Sequence, residues 1–350
     1  MKLLLPVCGK SSRYPNLPPK WSLLTPTGYP MLYEAIRGLK VDASDIIVAI
    51  LRQHEDTLGA SDGIRRMLGE EVSVLVFEEP TRSQSETVFK MLERAQVEEP
   101  FLVKDSDNVF CVDGIEQDFN YICIESLNSF EEINPRNKSY VKVDSNKLIT
   151  AIKEKVVISD CFCVGGYYFT DPKAFCQTYQ TLVSQFVDGA KELYISDIIG
   201  AMLLKDIPFL TKKVQGYVDW GTAHEWYNFN KRFRTYFVNL DGVVFEFGSP
   251  FFHPTYSEVK PNLEVVSELL KLQEEGNQIV FISERNESWR EETEAALSAL
   301  DFKSFILIMG CRSTQHVLVN ACLSQSPYPS ARAVNLFGSE EIGSRLRELL

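Results

Sequence analysis

From Lys2 to Val7 the chain reads KLLLPV, an apolar run too short for a helix, and it breaks at once into Cys8-Gly9-Lys10-Ser11-Ser12. Such a run predicts a buried strand that feeds a loop. Helical spacing follows, with Leu32, Ala35, Ile36 and Leu39 on one face of 31–39. Asp45–Leu51 then predicts a second buried strand, residues 56–68 a helix, Val72–Phe77 a third strand, a helix opens near Ser85, and Pro100–Lys104 is a fourth strand. Strands separated by helices predict parallel pairing through right-handed crossovers. In such sheets ligands bind beyond the carboxyl ends of the strands, so the chemistry is expected just after each strand.

Further along, Asn137–Ile152 alternates as a β excursion with a turn at Asp144-Ser145-Asn146, and Val164–Phe169 reads as a strand. Glu192–Ile199 has helical spacing. A short basic connector, Lys231–Arg234, precedes a second series: a strand from Thr235, a helix Asn262–Glu275, a strand Gln278–Ile282, a helix Glu291–Leu300, and strands Phe305–Ile308 and Val317–Val319. At 350 residues the chain exceeds one average domain, and the break at the connector predicts domains at 1–232 and 233–350.

The composition, 45% hydrophobic and 24% charged, is that of a globular protein. A net charge of −12 argues against nucleic acid or an anionic membrane as partner, and a phosphate substrate would need local cations or a metal. The opening apolar run has no basic region before it and no cleavage-like site, and no stretch approaches the roughly 20 apolar residues of a membrane helix. The expectation is a soluble, cytoplasmic protein. Eight cysteines are scattered among apolar residues and read as reduced, buried thiols. The four histidines share no local pattern, which argues against zinc.

The opening loop carries the first candidate chemistry. Gly9, Ser11 and Ser12 let backbone N–H groups approach an anion closely, Arg13 adds a rigid fork of donors, and Lys20 adds a point charge. Gly9 by itself is equally explained by an ordinary α/β turn. Straight after the fourth strand come Asp105-Ser106-Asp107-Asn108, where carboxylates at i and i+2 share a face and suit one divalent cation. An Asx turn would account for one of the two.

Taken with Pro19-Lys20 and Gly28-Tyr29-Pro30-Met31, the opening segment resembles that of the sugar-phosphate nucleotidylyltransferases, G-x-G-[ST]-R followed by P-K and G-x-P-M. Ser11 stands where that pattern has its second glycine. The resemblance implies a Rossmann-like α/β fold with a mixed, mostly parallel sheet of the nucleotide-sugar transferase (GT-A-like) type. It implies transfer of a nucleotidyl group from a nucleoside triphosphate to a sugar or polyol phosphate, with Mg²⁺ as cofactor. By the same resemblance, Cys8, Gly9, Lys10, Ser11 and Ser12 hold the triphosphate, and Gln84 and Ser85 lie on a base-contacting loop where Gln84 suits a pyrimidine edge; Ser83 or Ser85 also reads simply as a helix cap. Asp107 is the expected direct Mg²⁺ ligand, with Asp105 beside it on the substrate side. Tyr217-Val218-Asp219-Trp220-Gly221-Thr222 matches the family's D-x-G-T and makes Asp219 the second metal ligand. Glu154 resembles a sugar-hydroxyl acceptor, Lys155 a contact to the acceptor's phosphate, Gly166 a backbone surface for the sugar, and Glu192 a further substrate-side acid; Glu-Lys neighbours are also common on plain surfaces. The implied catalytic set is Arg13, Lys20 and Lys155, and the implied product is an activated sugar or polyol for capsule or another surface glycan.

Residues 235–336 resemble the haloacid dehalogenase-like phosphatases, with Asn239-Leu240-Asp241-Gly242-Val243 in the place of D-x-D-G-[TV]. The first acidic position is an asparagine, a poor nucleophile, and Asn320-Ala321-Cys322 stand where the last metal-binding carboxylate is expected. The second domain is therefore expected to lack phosphatase turnover and to pack on the first, mediate self-association into a homo-oligomer, or bind a phosphorylated ligand. Two rival readings stay open: a bifunctional protein or phosphatase acting through the second domain, and a non-catalytic sensor of sugar nucleotides.

Overall fold

The computed structural model describes residues 1–9, 13–15, 17–129, 134–185, 192–319 and 331–335, so Lys10, Ser11 and Ser12, and likewise 320–322, lie outside the described residues. The chain divides into two compact units, Met1–Tyr227 and Asn228–Leu350.

The first unit opens with β1 (Lys2–Pro6), α1 (Met31–Arg37) and β2 (Ile46–Leu51), the last a run of six buried apolar residues. The single helix expected over 56–68 is two helices, α2 (Arg52–Leu58) and α3 (Ala60–Leu68), because Gly59 between them takes a left-handed conformation, φ 56°. Glycine reaches that region without steric cost, so it ends one helix and starts the next. Then come β3 (Ser73–Phe77), α4 (Gln84–Arg94), β4 (Phe101–Lys104), β5 (Asn108–Cys111) and β6 (Asn120–Ser126). The β excursion forms β7 (Ser139–Val143) and β8 (Ile149–Glu154), followed by β9 (Cys161–Phe169), α5 (Pro172–Gln185), α6 (Ile195–Leu203), β10 (Phe209–Lys213), β11 (Gln215–Asp219) and α7 (Ala223–Asn230), whose last three residues are counted with the second unit. The helix expected over Glu192–Ile199 begins only at Ile195, with Tyr194 as its N-cap, so Glu192 precedes it.

The main sheet runs β10-β6-β9-β4-β1-β2-β3, with β7 and β8 attached beside β9. The β3, β2, β1 and β4 pairings are parallel, β10 is parallel to β6, and β9 runs antiparallel to both β4 and β6. The sheet is thus mixed and mostly parallel, with β9 reversed inside it. Alternate residues of β1 and β2 face opposite ways. Leu4, Ile47 and Ala49 join one core with Val88 and Met91 of α4, Phe175 of α5 and Ile198 of α6, whereas Leu3, Leu5, Val48 and Ile50 join another with Leu32 of α1 and Ile64 of α3. Burial on both faces explains why these strands are continuous apolar runs. The chain leaves β1 toward β2 on one side and returns to β4 on the other, so the order switches between β1 and β4, the kind of crevice where open α/β sheets bind ligands.

The second unit contains three parallel strands in the order β12 (Thr235–Asn239), β13 (Gln278–Ile282) and β14 (Ile306–Ile308). Helices α8 (Leu263–Glu274) and α9 (Arg290–Ala299) supply Val265, Leu269 and Leu297 to its core. The expected strand Val317–Val319 is not formed; those three residues are irregular and exposed. After β12, Asp241 receives a fork from Arg285 (Nη2 to Oδ1 2.7 Å, Nε to Oδ1 3.0 Å) and a hydrogen bond from the Ser283 hydroxyl at 3.1 Å. Asn239 instead donates its side-chain amide to the Asp241 carbonyl at 3.2 Å.

Candidate active site

The carboxyl ends of β1 and β4 open into a cavity of about 550 Å³ lined by residues of the first unit from Pro6 to Glu225. Because β9 is reversed, its beginning lies at this same end: Lys104 pairs with Gly166, and Asp105 N–H donates to the Gly165 carbonyl at 2.8 Å. A ribbon of β5 and β11 closes another side, its register placing Asp219 opposite Asn108, with Trp220 N–H donating to the Asp107 carbonyl at 2.8 Å. In this way Asp219 arrives beside the 105–108 turn from more than a hundred residues away. The opening loop is docked on the same segment: Tyr14 donates its hydroxyl to the Trp220 carbonyl, and Ala223 N–H donates to the Arg13 carbonyl at 3.3 Å.

Each of the two expected metal carboxylates has a lysine partner. Lys20 Nζ lies 2.5 Å from Asp107 Oδ2, and Lys138 Nζ contacts Asp219 Oδ2 while donating to the Tyr217 hydroxyl at 2.9 Å. Burial alone would raise the Asp107 carboxyl, but Lys20, Lys138 and Arg13 outweigh it and hold the group well below the usual carboxylate range. Burial and the Asp107 charge push Asp105 the other way. The two carboxylates therefore do not share one partner; Asp105 accepts from Gln84 Nε2 at 2.5 Å. Beneath the turn, Lys104 is wholly buried and donates to the Asp105 carbonyl at 2.6 Å, the Asn108 carbonyl at 2.9 Å and Asn108 Oδ1 at 2.6 Å. It pins both ends of the turn.

Arg13, Lys20, Gly9, Gln84, Asp105, Asp107, Glu154, Lys155, Glu192 and Asp219 all line this cavity. Three expected residues do not line it. Cys8 is wholly buried in the core that contains Leu4, and its thiol is pushed up to about 12 by burial. Ser85 is also fully buried and donates to the Leu193 carbonyl at 2.6 Å, while Ser83 is the helix cap and accepts from Glu86 N–H at 3.2 Å. Gly166 faces the core, where an added Cβ would meet the Phe110 ring at 2.8 Å and Cys123 Sγ at 2.9 Å. Its neighbour Gly165 faces the site: φ is +79°, and a Cβ would meet Asp105 Oδ2 at 2.4 Å. Gln84, expected at a base edge, is engaged with Asp105. Lys155 has turned to Tyr194, donating to its hydroxyl at 2.7 Å, and Tyr194 in turn donates to Glu192 Oε2 at 2.8 Å. Glu154 accepts from the hydroxyls of Ser139 and Ser196, the latter at 2.9 Å. Of the cysteines expected to be buried, Cys8, Cys123 and Cys163 are, Cys161, Cys176 and Cys311 are half-buried, and Cys111, at the end of the two-stranded ribbon, is exposed; the described cysteines are free thiols.

Sequence reasoning missed Lys138 and Lys104. Lys138 follows no motif, and the single cue was its place one residue before β7. Lys104 reads as the last residue of a strand, and only its position before an acidic turn hints at a buried cation.

Among the described residues no group of three His, Cys, Asp or Glu is placed to hold a metal, and no helix is long and apolar enough to cross a membrane. The donor set nonetheless fits Mg²⁺, which is commonly bound through one or two carboxylates plus substrate phosphates rather than by an all-protein cage. Asp107, kept ionised by its cationic neighbours, and Asp219 both line the cavity and are the carboxylates that would hold Mg²⁺.

No protein-family model matches the sequence, and no curated protein matches it. Among solved structures, the chain is similar to the nucleoside-diphosphate-sugar pyrophosphorylase from Vibrio cholerae RC9, with 17% identity and a TM-score of 0.54 over 65% of this chain and 99% of that one. It is also similar to the inositol-1-phosphate CTP transferase from T. maritima, with 14% identity and a TM-score of 0.51 over 64% of this chain and 90% of that one. At these identities the likeness shows a shared fold. The share of this chain involved equals that of the first unit, Met1–Tyr227.

Proposed function

We propose that the first unit is a Mg²⁺-dependent nucleotidylyltransferase that joins a nucleoside triphosphate to a sugar or polyol phosphate and releases pyrophosphate. The observation that carries this reading is the convergence of Asp107 and Asp219, from different strand ends, with Arg13, Lys20 and Lys138 in one cavity at the switch point of the sheet. The fold shared with a solved nucleoside-diphosphate-sugar pyrophosphorylase and a solved inositol-1-phosphate CTP transferase supports it.

In the reaction, an oxygen of the acceptor's phosphate monoester attacks the α-phosphorus in line. A new P–O bond forms, the bond to the β-phosphate oxygen breaks, and its electron pair leaves with pyrophosphate. The protein need supply little covalent chemistry; positioning and charge neutralisation dominate. Gly9 offers close backbone approach to the β and γ phosphates, Arg13 a fork for the leaving pyrophosphate, and Lys20 a charge near the α-phosphate. Asp107 and Asp219 would hold Mg²⁺, which when bound supplies a counter-charge for the triphosphate. Glu154, oriented by Ser139 and Ser196, and Glu192, oriented by Tyr194, accept from acceptor hydroxyls. Gly165 rather than Gly166 gives the acceptor a backbone surface. The second unit has no phosphatase turnover in this reading, since Asn239 replaces the nucleophile and Arg285 forks onto Asp241; self-association is the role proposed for it. The proposed setting is the cytoplasm, in synthesis of a capsule or other surface glycan.

Pyrophosphate release measured across a panel of triphosphates and sugar or polyol phosphates tests the assignment. Release with one pair, dependent on Mg²⁺, is expected, and its absence across the panel overturns it.

A further inference from the structure

Lys138 stands where the two sides of the cavity meet. Its carbonyl accepts from Lys155 N–H at 3.0 Å, and the next residue, Ser139, pairs with Glu154, so its backbone belongs to the β7–β8 hairpin on the acceptor side. Its side chain reaches the other way, to Asp219 and the Tyr217 hydroxyl, with the ammonium 5.5 Å from the Tyr217 ring centroid. The Lys138 side chain is 11% exposed. Lys155, the lysine that sequence reasoning assigns to the acceptor's phosphate, is 44% exposed, with its ammonium 4.4 Å above the Tyr194 ring.

The new phosphoanhydride forms at the boundary between nucleotide and acceptor, where negative oxygens from two molecules converge. A cation serves best there when it is fixed and withdrawn from water, because screening is weaker and less reorganisation is needed. Among the described residues, Asp219 and Tyr217 engage two of the three donors of the Lys138 ammonium, and the third is left to an oxygen in the cavity that it lines. Building on the nucleotidylyltransferase reading, we propose that Lys138, not Lys155, is the lysine that binds the acceptor's phosphate. Lys155 instead orders Tyr194 and, through it, Glu192.

Inorganic phosphate serves as a probe of the acceptor's phosphate. Its binding to the full-length chain is measured by ³¹P NMR titration without Mg²⁺, beside pyrophosphate release. Lys138→Met and Lys138→Gln, two neutral replacements, are expected to weaken phosphate binding at least tenfold, whereas Lys138→Arg and Lys155→Met stay within threefold of the unsubstituted chain. The double change Lys138→Met with Asp219→Asn separates contact from mere charge balance: affinity should stay low. Recovery of full affinity in the double variant makes Lys138 only the counter-ion of Asp219 and overturns the proposal. So does unchanged binding in both neutral variants, or a loss confined to Lys155→Met. An unsubstituted chain that binds no phosphate also overturns it, and the parallel pyrophosphate assay then shows whether the nucleotidylyltransferase reading falls too.

Discussion

Lys20 and Asp107, 87 residues apart in sequence, form an ion pair of 2.5 Å in the wall of the cavity. The pair joins the opening loop to the turn after β4, and both partners are only partly exposed, at 27% and 16% of their side chains. In the proposed reaction a lysine so held keeps its charge at the cavity wall, where the α-phosphate would lie. Lys20→Ala is expected to lower nucleotidyl transfer by about 10²–10³-fold, the usual effect of deleting one preorganised electrostatic contact. Pyrophosphate release gives the rate, and an unchanged far-UV spectrum shows that the fold is kept; near-normal turnover would remove Lys20 from the mechanism.

Asp219→Asn keeps the shape of the side chain and removes its charge. The Mg²⁺ concentration for half-maximal activity should rise on the order of tenfold or more, as expected when a divalent cation loses one of two carboxylates. A Mg²⁺ titration that overlays the original curve would exclude Asp219 as a ligand.

Two glycines separate backbone strain from ligand approach. Gly165→Ala puts a Cβ 2.4 Å from Asp105 Oδ2 at a φ of +79°, so a fall in melting temperature is expected, with a cost of about 1–3 kcal/mol for the left-handed conformation alone. Around Gly9, an added Cβ meets nothing within 4 Å among the described residues. Gly9→Ala should melt as the unsubstituted chain does and lose triphosphate affinity; retained affinity would show that the phosphates do not approach this backbone.

Burial pushes the Lys104 ammonium down to about 8 from 10.5. Between those values the unfolded chain binds the proton that the folded chain has released, so stability rises with pH through this window. Below pH 8 both states carry the charge and the full cost of burying it. Melting temperatures of the unsubstituted chain should gain on those of Lys104→Met between pH 8 and pH 10, the comparison cancelling the contribution of buried tyrosines. A constant difference across that range would show that Lys104 does not titrate there.

Asn239→Asp restores the acidic position at the end of β12, yet no phosphate release from phosphomonoesters is expected. The neighbouring Asp241 stays forked by Arg285, whose side chain is 3% exposed. Turnover by this single variant, in a colorimetric phosphate assay, would show that one residue separates the unit from a phosphatase.

How far the sequence could be read depended on which physical signal each residue leaves. Strand runs such as IIVAIL are visible because burial on both faces demands continuous apolar residues, and Asp107 is visible because it sits just after such a run, whereas Lys20 and Asp219 are carried by the P-K and D-x-G-T patterns of the resemblance. Direction was harder: nothing in Cys161–Phe169 says that β9 runs against its neighbours, since pairing partners are a property of the whole sheet. Backbone parity places Cys8, Ser85 and Gly166 toward the core rather than the cavity. Along extended backbone a shift of one residue exchanges core for cavity, and around a helix start a small rotation turns a hydroxyl from ligand to Leu193. Lys138 left no local trace because its partners, Tyr217 and Asp219, lie about eighty residues away.

The reversal of β9 also divides the site along the chain. Residues up to 108 bring Lys20 with Asp107, and residues from 138 onward bring Lys138 with Asp219, one acid and one base from each stretch. The β4–β9 and β5–β11 ladders are seams between those stretches. A chain severed in the exposed turn around Gly114 would yield two fragments, each holding half of the charged cluster, and the complete set would return only when the two re-zip along those ladders.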